Sequence, residues 1–391
     1  MSSQSLFLPP ELWLKVFHWA TQSSQDAFST TYEPFSHSPF IEEEQMLRRV
    51  KRSLPLVCRA WHALSKEFLY RDVRIGPAQS SLQKALCAHE ESRGRANYVR
   101  RVVLPYQSTT TPTYSSDPLT SVEILKLCSQ LEVLVRPRLF IPPGLQGFSD
   151  APRFEFEVDS LPLPSLKRLE WIYYPEAERT GGINSLTDVL HHSPNIEYLH
   201  LGGLNPRTQI MSGHSILLPR LKTISVSSLT AQVIHQLCYR WTLPALSHLI
   251  IGSVNLPSVS TMWEKYAEQL ESVEVGRHVT FLQRDFVGPC VQSCHNLKVL
   301  NYYVFFTQPP DFGEETSSIE SVGLHVGANE MLSNESETAW RLLESHLDAL
   351  LGGALPMLRD IRLYGDWSGF LADGRVADKI YGGNHEVYIC S

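Results

Sequence analysis

The sequence predicts an α/β protein in two parts: a helical module over residues 1–75 and, over residues 76–391, a right-handed solenoid whose strands form a parallel sheet. Three observations carry this. Two segments near the N-terminus, Leu8–Ala20 and Leu54–Tyr70, place apolar residues at helical spacing. Behind Tyr70 the pattern apolar-x-x-apolar-x-apolar recurs ten times. Between its occurrences lie apolar runs spaced by three and four, suited to helices that return the chain to the next strand.

In the first segment Pro9 and Pro10 can open a helix, where a missing N–H costs nothing, and Leu12, Trp13, Val16, Phe17 and Ala20 recur beyond them. In the second, Val57, Trp61, Leu64 and Phe68 fall four, three and four apart, so a single helical stripe is expected. The pairing of Leu8-Pro9-Pro10-Glu11-Leu12 with Val57-Cys58-Arg59-Ala60-Trp61 resembles the F-box, the helical module that docks on the Skp adaptor of cullin-RING ubiquitin ligases. The resemblance covers about the first 75 residues. It implies that Leu8, Pro9, Val16, Phe17, Val57, Cys58 and Trp61 form the apolar set that faces or supports the adaptor. The stretch Thr21–Ser53 is longer than that family's usual connection and reads as an inserted loop followed by a helix, Glu42–Arg52. A plainer reading is that both helices simply cap the core that follows.

Past Tyr70, Asp72–Ile75 alternates like a strand and Ala78–His89 reads as a helix. The repeated pattern then starts at Val99, Leu131, Leu166, Ile196, Leu221, Leu246, Leu270, Leu297, Ile319 and Leu358, and only Arg136 breaks its apolar rule. The central spacings of 25, 25, 24, 27 and 22 residues resemble those of leucine-rich repeats. The Asn or Cys that usually closes such a strand is replaced by Leu204, Leu229 and Val254, so irregular turns are expected. Returning helices are expected over Ile183–His191, Thr230–Tyr239, Ser258–Leu270, Phe286–Cys294 and Thr338–Leu351, and loops over Gln107–Pro118, Pro142–Pro164 and Gly327–Ser336.

Composition narrows the function. The net charge is −7, and residues 1–75 hold nine Lys/Arg against eight Asp/Glu, leaving 25 against 33 in the rest. An acidic array does not suit nucleic acid, whose binding rests on phosphate neutralisation. The seven cysteines are scattered through mostly apolar segments, as in a reducing compartment. No run of 18 apolar residues and no leader pattern is found, so no membrane is expected and a cytoplasmic or nuclear location is. Cys390 stands at the wrong distance from the end for prenylation, and the sequon Asn334-Glu335-Ser336 matters only outside the cell.

Chemistry is sparse. Cys290, Cys294 and His295 have zinc-like spacing but no second ligand pair, and two buried thiols are the simpler account. Asp366-Trp367-Ser368-Gly369 and Tyr381-Gly382-Gly383-Asn384 lack the setting of a phosphate loop and read as turns. With no hydrolase, zincin or kinase signature, no enzyme activity, metal or cofactor is expected. What remains is surface. Side chains alternate along a strand, so one row should point out of the concave face. Its candidate contacts for a protein target are Arg168, Glu170, Tyr198, His200, His248, Asn301, Tyr303, His325, Arg362 and Tyr364. The expected function is therefore a substrate-recruiting subunit that binds a Skp-type adaptor, and through it a cullin, at one end and an unknown protein substrate at the other. The alternative is an interaction scaffold that never joins a ligase.

Overall fold

The computed structural model describes residues 8–22, 26–36, 41–76, 79–87, 94–105, 120–138, 159–203, 215–254, 257–278, 282, 284–313, 318–329, 336–383 and 385–390. Among them are thirteen α-helices and a twelve-stranded parallel sheet that does not close into a barrel. The chain divides into two compact units, one made of Met1–Thr30, Ser36–Trp171 and Glu176–Ile196, the other of Thr31–Phe35, Ile172–Pro175 and Glu197–Ser391. The division differs from the boundary expected after residue 75. Helix α3 (Arg59–Arg71) runs without a loop into strand β1 (Asp72–Arg74), and the Arg71 carbonyl accepts the Arg100 N–H, so the helical module is continuous with the first strands.

In the first unit, α1 (Pro10–Thr21) and α2 (Ile41–Val57) precede α3. Val57 closes α2 instead of opening the next helix. Cys58 is extended (φ −161°, ψ 171°) and caps α3, its Sγ accepting the Trp61 N–H at 3.5 Å. The expected single stripe from Val57 to Phe68 is thus split by a cap, because a side chain that can accept from the third residue on favours a helix start. Beyond β1 come α4 (Gln79–Cys87), β2 (Arg101–Val103), α5 (Thr120–Leu127), β3 (Val133–Arg136), β4 (Arg168–Tyr173), α6 (Pro175–Thr180) and α7 (Leu186–His191). Strands β1 to β3 pair in parallel, with Val73, Val102 and Leu134 in one register row.

The second unit holds β5 (Tyr198–Gly203), β7 (Thr223–Leu229), β9 (His248–Val254), β10 (Ser272–Val275), β11 (Val299–Tyr303), β12 (Ser321–His325), β13 (Asp360–Tyr364) and β14 (Glu386–Cys390) in that spatial order. A separate pair is formed by β6 (Ile216–Leu217) and β8 (Trp241–Thr242). Returning helices are α8 (Ala231–Arg240), α9 (Pro257–Tyr266), α10 (Val287–Ser293) and α11 (Ser336–Leu351), followed by α12 (Ser368–Leu371) and α13 (Gly374–Tyr381). Sequence reading had no element over β14, which lacks the repeat's first apolar residue.

Register explains the periodicity. Leu199, Ile224, Leu249, Val273, Leu300, Val322 and Ile361, the second apolar position of each unit, stand side by side across seven strands. Each is fully buried. The backbone repeats as well: the carbonyls of Glu197, Lys222, Ser247, Glu271, Lys298 and Glu320 each accept two successive N–H groups from the next repeat. Arg136, the one break in the pattern, is buried too. Its Nη2 donates to the Ile183 carbonyl at 3.1 Å and to Asn184 Oδ1 at 2.6 Å, and its guanidinium lies 4.9 Å from the Trp171 ring. A charge is tolerated there because protein acceptors replace its hydration. The loops expected over 107–118 and most of 142–164, and Asn334 and Glu335 of the sequon, lie outside the described residues.

Candidate protein-interaction surfaces

Helix α1 carries two apolar stripes, not one. Trp13 and Phe17 face inward, where the Phe17 ring sits 4.8 Å from Trp61 and 6.1 Å from Phe68, and the Trp13 ring lies 4.7 Å from Trp61, tilted by 58°. Phe17 is wholly buried. Leu12, Val16 and Trp19, spaced four and three apart, form the second stripe, and they are 42%, 37% and 72% exposed. Leu56 and Val57, at the end of α2, are exposed as well. Of the residues assigned to adaptor contact, Leu8, Pro9, Val16, Val57 and Cys58 are therefore exposed, Trp61 is half-buried, and Phe17 supports the fold from inside. Trp19 and Leu56 were missed, although the spacing of Leu12, Val16 and Trp19 was there to read.

Beside these helices a cavity of about 140 Å³ is lined by residues that include His18, Phe28, Arg48, Lys51, Arg71, Asp72 and Arg101. Asp72 contacts Arg101 at 2.9 Å and Lys51 at 3.7 Å. Burial alone would push its carboxyl up, but the two cations outweigh burial and hold it below the usual carboxylate range.

The other surface lies on the strands of the second unit. Register places Ile250, Glu274, Asn301, Gly323 and Arg362 in one row and Tyr303, His325 and Tyr364 in the next. Across these rows lies a piece of the N-terminal insert, Thr31–Phe35. The Tyr32 hydroxyl donates to Glu274 Oε2 at 3.1 Å and accepts from Asn301 Nδ2 at 2.6 Å, and its ring stacks on His248 at 5.3 Å. The Phe35 N–H donates to the same Oε2 at 2.7 Å. Its ring meets Tyr303, His325 and Tyr364 at 5.0, 5.0 and 4.8 Å, edge on in each case. Gly323 keeps the row open, since a Cβ there would stand 2.0 Å from Asn301 Oδ1.

Burial sets the electrostatics of this site. It pushes the Glu274 carboxyl up to about 7, against the pull of the Phe35 N–H and the Tyr32 hydroxyl, which favour the charged form. The Tyr32 phenol is pushed up by burial and then by the Glu274 charge, and His248 is pushed down by burial.

Of the ten expected contact residues, five thus converge on one segment: His248, Asn301, Tyr303, His325 and Tyr364. Asn301 and Tyr303 were expected at the surface and are buried, because Tyr32 and Phe35 lie over them. Arg168 and Glu170 sit in the first unit, where Arg168 donates to Glu170 and to the Ser29 carbonyl. Tyr198 and His200 are half-buried on β5, and His200 Nδ1 pairs with Ser225 Oγ at 3.0 Å. Arg362 is exposed and donates to Asp360 at 2.8 Å. Sequence reasoning missed Tyr32 and Phe35; the available signal was an aromatic pair within a stretch otherwise rich in Ser, Thr and Pro.

Cys290 and Cys294 are buried, and no cluster of three or more His, Cys, Asp or Glu that could hold a metal occurs among the described residues. No helix among them is long and apolar enough to cross a membrane. No protein-family model matches the sequence, and no curated protein matches it significantly.

Proposed function

We propose that this chain is a substrate-recruiting subunit of a Skp–cullin–F-box ubiquitin ligase, with an F-box at its N-terminus and a leucine-rich-repeat-like solenoid behind it. The observation that carries the reading is the second stripe of α1. Leu12, Val16 and Trp19 stay exposed although Trp13, Phe17, Trp61 and Phe68 already fill the contact between the helices. Exposed apolar ground next to a completed core suits a partner protein. The protein performs no bond chemistry; it holds a target on its strand face while other subunits transfer ubiquitin.

The test is co-purification with a Skp-type adaptor. Trp19→Asp combined with Val57→Asp should abolish adaptor recovery while leaving thermal unfolding near that of the unaltered chain, since both side chains are largely exposed. Full recovery by the folded double variant removes the docking assignment. A scaffold outside any ligase is favoured by one observation, the chain's own segment lying on the face where a target would sit. Pull-downs that return other partners but no adaptor would select it.

A further inference from the structure

Residues 31–35 belong by packing to the second unit although the sequence on both sides belongs to the first. They do not join the sheet. They are held through two aromatic side chains set three residues apart and one backbone N–H, the manner in which a peptide ligand is held by pockets. Both hydrogen bonds to the Glu274 carboxylate come from this segment, and the side chains it covers, Glu274, Asn301 and Tyr303, are each under 5% exposed. A carboxylate beneath a phenol and an amide is suited to reading a peptide and poorly suited to a permanent core, where it must be desolvated. Phe35 is also a non-glycine residue in the left-handed region, φ 56°, so the bound segment carries backbone strain that release removes.

From this we propose that the groove over β9 to β13 is a recognition site for a protein segment bearing a tyrosine and, after a turn, a second aromatic residue three positions later, and that Tyr32–Phe35 occupies it as an internal ligand. A partner's segment of this kind binds by displacing the internal one. Tyrosine is selected where Glu274 accepts its hydroxyl proton, Asn301 donates to its oxygen and His248 stacks on its ring. The second aromatic is selected by the cage of Tyr303, His325 and Tyr364. This rests on the strand face being the target-holding surface, and not on adaptor docking.

The probe is a fluorescein-labelled peptide with the sequence of residues 29–37, STTYEPFSH, added to the full chain. An internal ligand acts at a high effective concentration, so Tyr32→Ala with Phe35→Ala should tighten peptide binding by about tenfold or more over the unaltered chain. Adding Glu274→Ala and Asn301→Ala should remove the gain, as should alanine at both aromatic positions of the peptide. A double variant that unfolds cooperatively yet binds the peptide no better than the unaltered chain overturns the proposal. If that variant does not fold, the unaltered chain is irradiated with a peptide that keeps both aromatic residues and carries benzoylphenylalanine in place of the exposed Glu33 between them. Crosslinks to the stretch 248–303 support the proposal, and their absence there overturns it. Adaptor recovery by the same variants is scored separately, so a Tyr32→Ala with Phe35→Ala variant that gains no peptide binding but retains the adaptor discards the internal ligand and leaves the ligase reading standing.

Discussion

At the scale of single residues, two of the buried charged side chains on the strands, Glu274 and Arg136, behave in opposite ways. Glu274 has a carboxyl raised by burial from its ordinary 4.5 to about 7, so the fold bears no cost of burying its charge below about 4.5 and loses stability as pH rises through 7, with the Phe35 N–H and Tyr32 hydroxyl, which favour the charged form, offsetting part of that loss. The groups around it are the Tyr32 and Tyr303 phenols, both pushed up and neutral through this range, and His248, which is pushed down. His248 and the buried His346, pushed down to about 4, work in the other direction, their contributions failing as pH drops below 6.5. Between pH 6.5 and 8.5 the loss at Glu274 is opposed by His248, His278 and His346, which are still partly protonated in the unfolded chain at the lower end, so Glu274 is isolated by comparison with a variant. Across this interval the unaltered chain should lose about 1 kcal/mol, roughly 1 °C in Tm, relative to Glu274→Gln. An equal slope in the variant, read by calorimetry at the two pH values, would assign the dependence elsewhere. Arg136 is the converse case, a cation held by fixed acceptors. Arg136→Ala leaves the Asn184 side chain and the Ile183 carbonyl without this donor and should cost about 3 kcal/mol, measurable by urea unfolding.

At the scale of elements, α1 separates stability from binding along one helix. Phe17→Ala removes the hub of a four-ring cluster and should destabilise the chain by about 3 to 5 kcal/mol. Trp19→Ala, on the exposed stripe, should stay within about 0.5 kcal/mol. Equal losses in urea unfolding would mean that the outer stripe is packed against the chain itself. The helix was legible in sequence because its spacing is regular. Its two faces were not, since Leu12, Trp13, Val16 and Phe17 all count as apolar and hydropathy does not say which pair meets Trp61. The break at Cys58 was hidden for a related reason: apolar spacing runs unchanged from Val57 to Phe68, and only the capping contact of the thiol stops α2 there. The contact of Tyr32 with Glu274 spans 242 residues. No local pattern reaches that far, which is why the strand face was read as open.

At the scale of the whole chain, the strand pattern was legible because every repeat sets the same demand. One repeat cannot bury its own apolar row, and each is completed only by its neighbours in register. Leu249 has Ile224 on one side and Val273 on the other, and all three are fully buried. Ile389 on β14 is 64% exposed, on a strand paired only with β13. Stability should therefore fall from the middle of the array toward this edge. Leu249→Ala should cost about 2 to 5 kcal/mol, because the cavity it leaves loosens contacts on both sides, whereas Ile389→Ala should cost under about 0.5 kcal/mol. Hydrogen exchange gives the sharper reading. Amides of β9 to β11 should exchange together and slowly, those of β14 at least about tenfold faster, and Leu249→Ala should speed β7, β9 and β10 as a group. If the amides of β14 are as well protected as those of β10, stability is not set by neighbour burial, and the periodic row from Leu199 to Ile361 is a record of sequence alone.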